Sequence, residues 1–309
     1  MDARIFIEPQ QGADYATQLA CAQTAERLGF DGFFRSDHYL AMPGQDGLPG
    51  PTDSWITLAG LARETSSIRL GTLVSAATFR APGPMAITVA QVDEMSGGRV
   101  ELGLGTGWFR EEHEAYGLPF PDDRFARFEE QLQIITGLWS TPVGERFSYA
   151  GEHWTLSDSP ALPKPTQNPV PIIIGGGGKA RTPRLAAEYA SEFNIGFQPE
   201  AVIADRFAAV RRAAEKIDRD PDSLVYSVAL ATIVGTDERD YARRVESRGL
   251  DPVAFRENTV SGTVAEALEK IARIRELGAT RIYLQTRLAQ DLDLVELLGA
   301  EVLPHLRGL

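Results

Sequence analysis

Several residue types that define whole classes of protein are scarce in this chain of 309 residues. It has one cysteine, Cys21, so it can form neither an intramolecular disulfide nor a cysteine-based metal cluster. It has only four histidines, too few at strand ends for a hydrolase that binds its metal through several His and Asp ligands. It shows no long apolar run and no basic start followed by an apolar segment, so we expect no transmembrane helix and no signal peptide. A soluble cytoplasmic protein is the default expectation.

The chain also lacks an excess of positive charge. Asp and Glu number 43 against 31 Lys and Arg, and the formal net charge is −12, with both signs mixed along the chain. Nucleic acids and anionic membranes bind basic faces, so we expect neither as a partner. An anionic ligand must instead be held by local donors. Arg35 and Arg80 are candidates for that role, or for salt bridges at the rim of the fold.

Short β-rich runs alternate with longer helical patterns along the chain, which is typical of parallel βα units. Eight predicted strands and eight principal helices fit a (β/α)8 TIM barrel of the α/β class better than an open sheet. No change in composition marks a second domain. We therefore predict a single domain over residues 1–309, with an insertion at 146–170 made of a hairpin and a Pro-rich connector. We expect this insertion and the 41–53 loop to wall the pocket.

The predicted elements have the following bounds. The strands are Arg4–Glu8, Gly32–Arg35, Ile68–Val74, Val100–Leu104, Pro171–Ile174, Glu192–Ile195, Leu224–Val234 and Arg281–Gln285. The principal helices are Asp14–Leu28, Ser54–Glu64, Pro84–Met95, Phe125–Trp139, Lys179–Tyr189, Ala201–Ile217, Thr263–Leu277 and Leu292–Leu306. An irregular segment is expected at 251–258.

Polar residues follow the second predicted strand, at the end of the barrel where chemistry takes place. Ser36, Asp37 and His38 come in a row after an apolar run. Imidazole titrates near neutrality and can donate, accept or carry a proton. A lone rim histidine is more often simply hydrogen-bonded to its neighbours, but three consecutive polar groups favour a functional site. The acidic stretch Glu111–Glu114, which contains His113, is by contrast typical of a solvated helix face.

Glycine-rich loops follow the fourth and fifth predicted strands. Gly175–Gly178 precedes a helix, so its backbone N–H groups can approach an anion and the helix adds its positive end. The alternative is a plain flexible turn. Gly105–Gly107 by itself indicates only a tight turn, but the two loops together favour a phosphorylated cofactor. Neither loop matches the motif of nucleoside triphosphate or dinucleotide sites.

Three runs of the sequence resemble the bacterial luciferase-like oxidoreductase superfamily, and most closely its coenzyme F420-dependent branch. They are GFDGFFRSDHYL (29–40), IRLGTLVSAATFRAPGPMAITVAQVDEMSGGRVELGLGTGWFREEHEAYGLPF (68–120) and VSGTVAEALEKI with LGATRIYLQ (260–285). The resemblance extends over nearly the whole chain. It implies a flavin or deazaflavin ring across the barrel mouth, with the cofactor phosphate towards the glycine loops.

The resemblance also implies roles for particular residues. His38 would lie beside the reactive face of the ring as a proton donor or electrostatic partner, and Asp37 would hydrogen-bond its polar edge. A non-proline cis peptide would join Leu73 to Val74 and support the back of the ring. The cofactor-binding residues would be Ser36, Leu73, Val74, Ser75, Thr106, Gly107, Gly176, Gly177 and Gly178. No metal site is implied.

The leading functional interpretation is hydride transfer between coenzyme F420 and a small organic substrate. The alternative is an FMN-dependent monooxygenase that uses reduced flavin and O2. A non-enzymatic flavin-binding barrel and a metal-dependent hydrolase are further readings, and the second lacks its ligands. Trp108 stands where sugar-phosphate-oxidising members carry a proton-donating glutamate, which argues against glucose-6-phosphate oxidation. Glu111, Glu112 and His38 are the candidate proton donors instead. The resemblance further implies a homodimer, whereas the substrate is not identified.

Overall fold

A computed structural model describes residues 1–307 of the chain. The strands are β1 (Asp2–Ile7), β2 (Gly32–Arg35), β3 (Arg69–Thr72), β4 (Ser75–Ala76), β5 (Val100–Gly105), β6 (Phe147–Ala150), β7 (Thr155–Ser159), β8 (Ile172–Gly175), β9 (Glu192–Gly196), β10 (Val225–Gly235), β11 (Val260–Thr263) and β12 (Arg281–Gln285). The helices are α1 (Tyr15–Leu28), α2 (Ser54–Glu64), α3 (Pro82–Ser96), α4 (Arg110–Ala115), α5 (Arg124–Ser140), α6 (Arg181–Tyr189), α7 (Glu200–Glu215), α8 (Glu238–Glu246), α9 (Pro252–Phe255), α10 (Val264–Glu276), α11 (Leu292–Leu297) and α12 (Leu303–Leu306).

Eight parallel staves close into a barrel within the described residues. Their hydrogen-bonded order is β1, β2, β3, β5, β8, β9, β10 and β12, and β12 pairs back to β1. β4 continues the stave of β3 and pairs with β5, while β11 lies beside the far end of β10. This architecture confirms the predicted (β/α)8 barrel.

Local sequence signals set where the main helices begin and end. The side chains of Asp14 and Asp53 accept backbone N–H groups in the first turns of α1 and α2. Gly29 and Gly97 end α1 and α3 in the left-handed conformation that other residues rarely adopt. A capping box at Thr263 begins α10. Because these caps fix the residues at which the helices begin and end, they also fix the lengths of the loops between helices and strands.

Charged side chains fill the N-terminal end of the barrel interior. The buried guanidinium of Arg4 donates to both carboxylate oxygens of Glu101, at 2.7 and 2.9 Å, and lies 4.9 Å over the ring of Phe34. Arg69 and Arg281 also contact Glu101. Burial alone would raise the pKa of Glu101, but Arg4, Arg281 and Arg69 together lower it to about 2. This cluster joins four staves at the end of the barrel away from the mouth.

The structure differs from the predicted elements in several places. The third predicted strand stops after Thr72 and resumes as β4. The segment 251–258, predicted to be irregular, contains the short helix α9, which Asp251 caps. β11 was not predicted; it forms because the long strand β10 extends past the barrel and offers an edge to pair with. α6 begins at Arg181, two residues later than predicted, because the glycine loop continues through Ala180.

The predicted insertion at 146–170 packs on the outside of the barrel. β6 and β7 form an antiparallel hairpin, and Tyr149 donates its hydroxyl to Gln133 of α5 at 2.6 Å. Further along, the amide of Gln167 donates to the carbonyl of Val100, the first residue of β5, at 2.7 Å. A connection from a helix to the next strand returns to the N-terminal end of that strand. The segment therefore lies at the rim opposite the mouth.

Candidate active site

A cavity of about 1140 Å³ lies at the C-terminal ends of the strands. Its volume exceeds the usual range for a site that holds one drug-sized ligand, so a tricyclic cofactor and a small substrate can share it. All of the predicted site residues line it: Ser36, Asp37, His38, Leu73, Val74, Ser75, Thr106, Gly107, Gly176, Gly177 and Gly178. The 41–53 loop contributes Met42, Pro43 and Gln45, as expected. No described residue of 146–170 lines the cavity, so that expectation was wrong, because the segment lies at the other rim.

A buried carboxylate fixes His38. Its Nδ1 lies 2.9 Å from Oε1 of Glu112, and Oε2 of Glu112 accepts the Tyr39 N–H at 2.8 Å. The Glu112 side chain is 1% exposed and that of His38 is 15% exposed. The indole of Trp108 stands edge-on to the imidazole, with centroids 5.7 Å apart. When the imidazole is neutral, this network places its proton on Nδ1 and leaves Nε2 as an acceptor at the cavity.

The interpretation of Glu111–Glu114 as a solvated helix face is wrong for two of its residues. α4 turns Glu112 and His113 inward and leaves the flanking glutamates exposed. His113 is fully buried, with Nε2 at 2.7 Å from Thr78 Oγ1 and Nδ1 at 2.7 Å from the carbonyl of Phe109. A helix of six residues is too short for its periodicity to reveal a buried face. No local sequence pattern therefore indicates that Glu112 is the partner of His38.

Asp37 belongs to a buried hydrogen-bonded network. Its Oδ2 accepts from Arg80 Nη1 at 2.5 Å and from Ser75 Oγ at 2.8 Å. Arg80 also donates to Asp53 at 2.6 Å, and Tyr39 donates its hydroxyl to the same carboxylate at 2.8 Å. Burial would lower the pKa of Arg80, but the two carboxylates raise it above its usual value. The network ties the ends of the second and third staves to the start of α2.

Arg35 is buried without a carboxylate partner in the described part of the chain. Its guanidinium donates to the carbonyl and the hydroxyl of Thr52, each at 2.9 Å, and to Thr57 Oγ1 at 2.9 Å. Burial lowers the pKa of Arg35 to about 10, which leaves it charged at neutral pH. Neither Arg35 nor Arg80 lines the cavity. Of the two predicted roles, Arg80 has the salt bridge. Arg35 has neither, and its hydrogen bonds instead anchor the end of the 41–53 loop.

The four-glycine loop presents backbone donors to the cavity. The N–H of Gly176 donates to the carbonyl of Asn194 at 3.2 Å, whereas those of Gly177 and Gly178 donate to no acceptor within residues 1–307. Gly176 has φ of +137°, which strongly favours glycine. A Cβ at Gly178 would lie 2.3 Å from Thr182 Oγ1, whereas one at Gly177 would meet nothing within 4 Å. Free N–H groups before a helix start form an arrangement that suits a phosphate.

Val74 lies in the centre of the barrel mouth. The Leu73–Val74 peptide is cis, as the resemblance implies. A Cβ at Gly103 would lie 1.9 Å from backbone, and one at Gly105 or Gly175 would lie 3.0 or 3.2 Å from the Val74 methyl groups. These glycines therefore make room for Val74 between the fourth and fifth staves. The result is an apolar surface between His38 and the glycine loop.

Other cavity residues were not singled out from the sequence. Glu8 follows β1, and burial raises its pKa although His38 and Arg287 act to lower it. Glu8 could have been recognised from the sequence, because it is a charged residue directly after an apolar strand. Arg248, which follows α8, and Arg287, which follows β12, also line the cavity. Arg248 comes from a loop far from any strand end in sequence, so only the fold brings it here.

A methyl group at Gly177 tests the proposed phosphate site. Gly177→Ala should weaken cofactor binding by at least about tenfold, because the methyl group displaces a ligand held by charge-assisted hydrogen bonds of about 1.5–3 kcal/mol. Stability should change by less than about 0.5 kcal/mol, since a Cβ there meets nothing within 4 Å. Fluorescence titration and urea unfolding measure the two effects. Gly83→Ala in α3, which also has space for a Cβ, is the matched control and should leave binding unchanged.

Two further features concern metals and membranes. Within residues 1–307, no group of three or more His, Cys, Asp or Glu side chains is arranged to hold a metal ion. None of the described helices combines the length and the apolar character that a membrane crossing requires.

The protein is a (β/α)8 barrel with a large cavity at its C-terminal mouth. The family model described as luciferase-like monooxygenase matches residues 1–256. The chain belongs to this family.

Known proteins of two kinds are similar to the chain. The F420-dependent glucose-6-phosphate dehydrogenase of Microbacterium testaceum is 31% identical over 92% of this chain and 91% of its own. Pyrimidine monooxygenase RutA of Klebsiella pneumoniae is 31% identical over 77% of this chain and 65% of its own. An F420-dependent secondary alcohol dehydrogenase, solved in complex with an F420-acetone adduct, superposes with a TM-score of 0.83 over 99% of both chains at 18% identity. This last likeness concerns the fold.

Proposed function

We propose that the protein is an F420-dependent oxidoreductase that transfers hydride between the deazaflavin and a small organic substrate. One observation carries the proposal: a histidine fixed by a buried carboxylate and a loop of free backbone N–H groups face the same cavity across Val74. The F420-dependent relatives support this choice of cofactor, because the similarity extends over 92% of this chain, against 77% for the monooxygenase relative.

The residues at the mouth fit such a cofactor. The N–H groups of Gly177 and Gly178 would hold its phosphate, and Val74 would support the back of its ring. The other residues proposed to contact it are Ser36, Leu73, Ser75, Thr106, Gly107 and Gly176. Asp37 would lie at the polar edge of the ring, held in place by Arg80. When bound, F420 supplies a carbon centre that gives or accepts a hydride.

His38 is proposed to handle the proton that accompanies hydride transfer. Its Nε2 can take a proton from a substrate hydroxyl or, when protonated, return one to a carbonyl oxygen. Glu112 holds the ring through Nδ1 and stabilises the imidazolium that forms. Of the three candidate donors, Glu111 is exposed and does not line the cavity, and Glu112 is engaged by His38 and Tyr39. His38 is therefore the residue that meets the substrate.

Cofactor titration tests the proposal directly. Purified protein should bind one F420 per chain, seen as a change in the absorption and fluorescence of the deazaflavin, and should bind FMN more weakly. Tight FMN binding without F420 binding would overturn the proposal.

An FMN-dependent monooxygenase is the second candidate. The similarity to RutA favours it. This candidate requires O2 consumption in the presence of reduced FMN and a substrate. F420-loaded protein should consume no O2, so an oxygen electrode separates the two functions.

We further propose that the enzyme is a cytoplasmic homodimer that acts on a small molecule. The neighbouring helices α2 and α3 carry Ile56 and Ile87, which are 77% and 47% exposed in the single chain. A second subunit packed on these two helices would cover both side chains.

A further inference from the structure

One wall of the cavity carries two arginines that the proposed mechanism does not use. Arg287 follows β12 and Arg248 follows α8, and both line the cavity together with Ser247. In the ring of eight strands, β12 lies opposite β5. This wall of the cavity is therefore on the side opposite the glycine loops that follow β5 and β8. The two arginines are therefore placed at the far end of the cavity from the proposed phosphate site.

Arg248 holds a buried donor without an acceptor. Its side chain is 7% exposed and its guanidinium pairs with Asp291, which fixes its orientation. Its Nε is buried and has no hydrogen-bond partner among the residues described. Because this Nε has no exposed surface, it does not face the cavity, and Arg248 lines the cavity through the outer part of its guanidinium.

Arg287 is the cavity arginine that forms no direct ion pair among the described residues. It is half-buried, has φ of +52° and forms no ion pair with a carboxylate of residues 1–307. Its guanidinium lies 5.9 Å from the ring of Phe255. Glu8 is level with it, because Phe6 and Gln285 are paired in the register of β1 and β12. Burial raises the pKa of Glu8, whereas the nearby charges of His38 and Arg287 act to lower it.

We infer that Ser247, Arg248 and Arg287 form a subsite for an oxyanion, a carboxylate or phosphate group carried by the substrate. The inference rests on the proposed function, since it names the class of molecule that shares the cavity with the cofactor. A guanidinium suits this group because its planar donors match the oxygens of a carboxylate or phosphate. In a chain of net charge −12, such local donors are what hold an anion.

Binding of small probes tests the subsite. Benzoate, inorganic phosphate and benzamide are titrated by calorimetry into the F420-loaded and the cofactor-free protein; benzamide has the shape of benzoate without its charge. Benzoate or phosphate should bind and benzamide should bind much more weakly. Arg287→Ala should weaken anion binding by about tenfold or more and leave benzamide unchanged. Absence of anion binding to the native protein, or equal binding by Arg287→Ala, would overturn the subsite.

Two further variants complete the test. Arg212→Ala removes one positive charge from the exposed surface of α7 and should leave anion binding unchanged. Arg248→Lys keeps the positive charge but loses the planar guanidinium, and should weaken benzoate binding less than Arg287→Ala does. If Arg212→Ala and Arg287→Ala weaken binding equally, net charge rather than a subsite is responsible.

The acidic groups of the cofactor are the other source of an oxyanion. F420 is therefore compared with FO, the deazaflavin that lacks the phosphate and acidic tail. Arg287→Ala should bind both as the native protein does. A loss of F420 affinity alone, with benzoate binding unchanged, would assign the arginines to the cofactor tail and overturn the inference. If the native protein binds no F420, the proposed function fails, whereas titration of the cofactor-free protein still decides the subsite.

Discussion

His38→Ala should lower turnover by about 10²–10⁴-fold, the usual contribution of a positioned acid–base group, while cofactor affinity stays nearly unchanged. The variant removes the only cavity-facing group proposed to move a proton, but no residue proposed to hold the phosphate or the ring. Turnover is followed by the absorbance of the cofactor, with a substrate drawn from a panel of ketones and alcohols that includes carboxylate-bearing members. Affinity is measured by titration of the same preparation.

Three further variants separate a chemical role of His38 from a structural one. His305→Ala removes an exposed histidine of α12 and should have no effect. Glu112→Gln keeps an acceptor for Nδ1–H but removes the charge that stabilises the imidazolium, so its turnover should lie between those of the native protein and His38→Ala. In Glu112→Ala, nitrogen NMR of the imidazole should show loss of the preference for the Nδ1-protonated form. Loss of cofactor binding by a folded His38→Ala protein would instead make His38 a structural residue.

Glu101→Gln should destabilise the protein by about 3–5 kcal/mol, the usual cost of breaking a buried ion pair by removing one partner. The substitution leaves the guanidinium groups of Arg4, Arg69 and Arg281 at the base of the barrel without their shared carboxylate. Urea unfolding at neutral pH measures the free energy of unfolding. Glu215→Gln, at an exposed position of α7, is the control and should change it by less than about 0.5 kcal/mol.

The pH dependence of this effect has a definite sign. The pKa of Glu101 is about 2 in the folded chain and about 4.3 in an unfolded one, so its ionised form is stabilised by folding. That contribution is fully present above about pH 4.3 and is lost as the pH falls towards 2. The difference in stability between the native protein and Glu101→Gln should therefore shrink across this range. A difference that stays constant down to pH 2 would contradict the assignment.

Much of the fold follows from patterns in the sequence. Alternation of apolar strands and amphipathic helices, with caps such as Asp14 and Gly29, is enough to predict the barrel and most of its elements. The position of the insertion at 146–170 could also have been predicted, because a helix-to-strand connection returns to the N-terminal rim. β11 could not, since its partner edge exists only once β10 extends beyond the barrel.

Some features of the candidate site can likewise be predicted from the sequence, and others cannot. The sequence by itself determines where the site lies, because polar residues after apolar strands collect at one end of a parallel barrel, as Ser36, Asp37 and His38 do. Only the tertiary structure decides which groups meet there. His38 and Glu112 are 74 residues apart and touch because the ring brings the end of β2 near α4, while Arg248 reaches the cavity from a loop beyond α8. Contacts between side chains on different staves depend on ring closure and helix orientation, which no local pattern records.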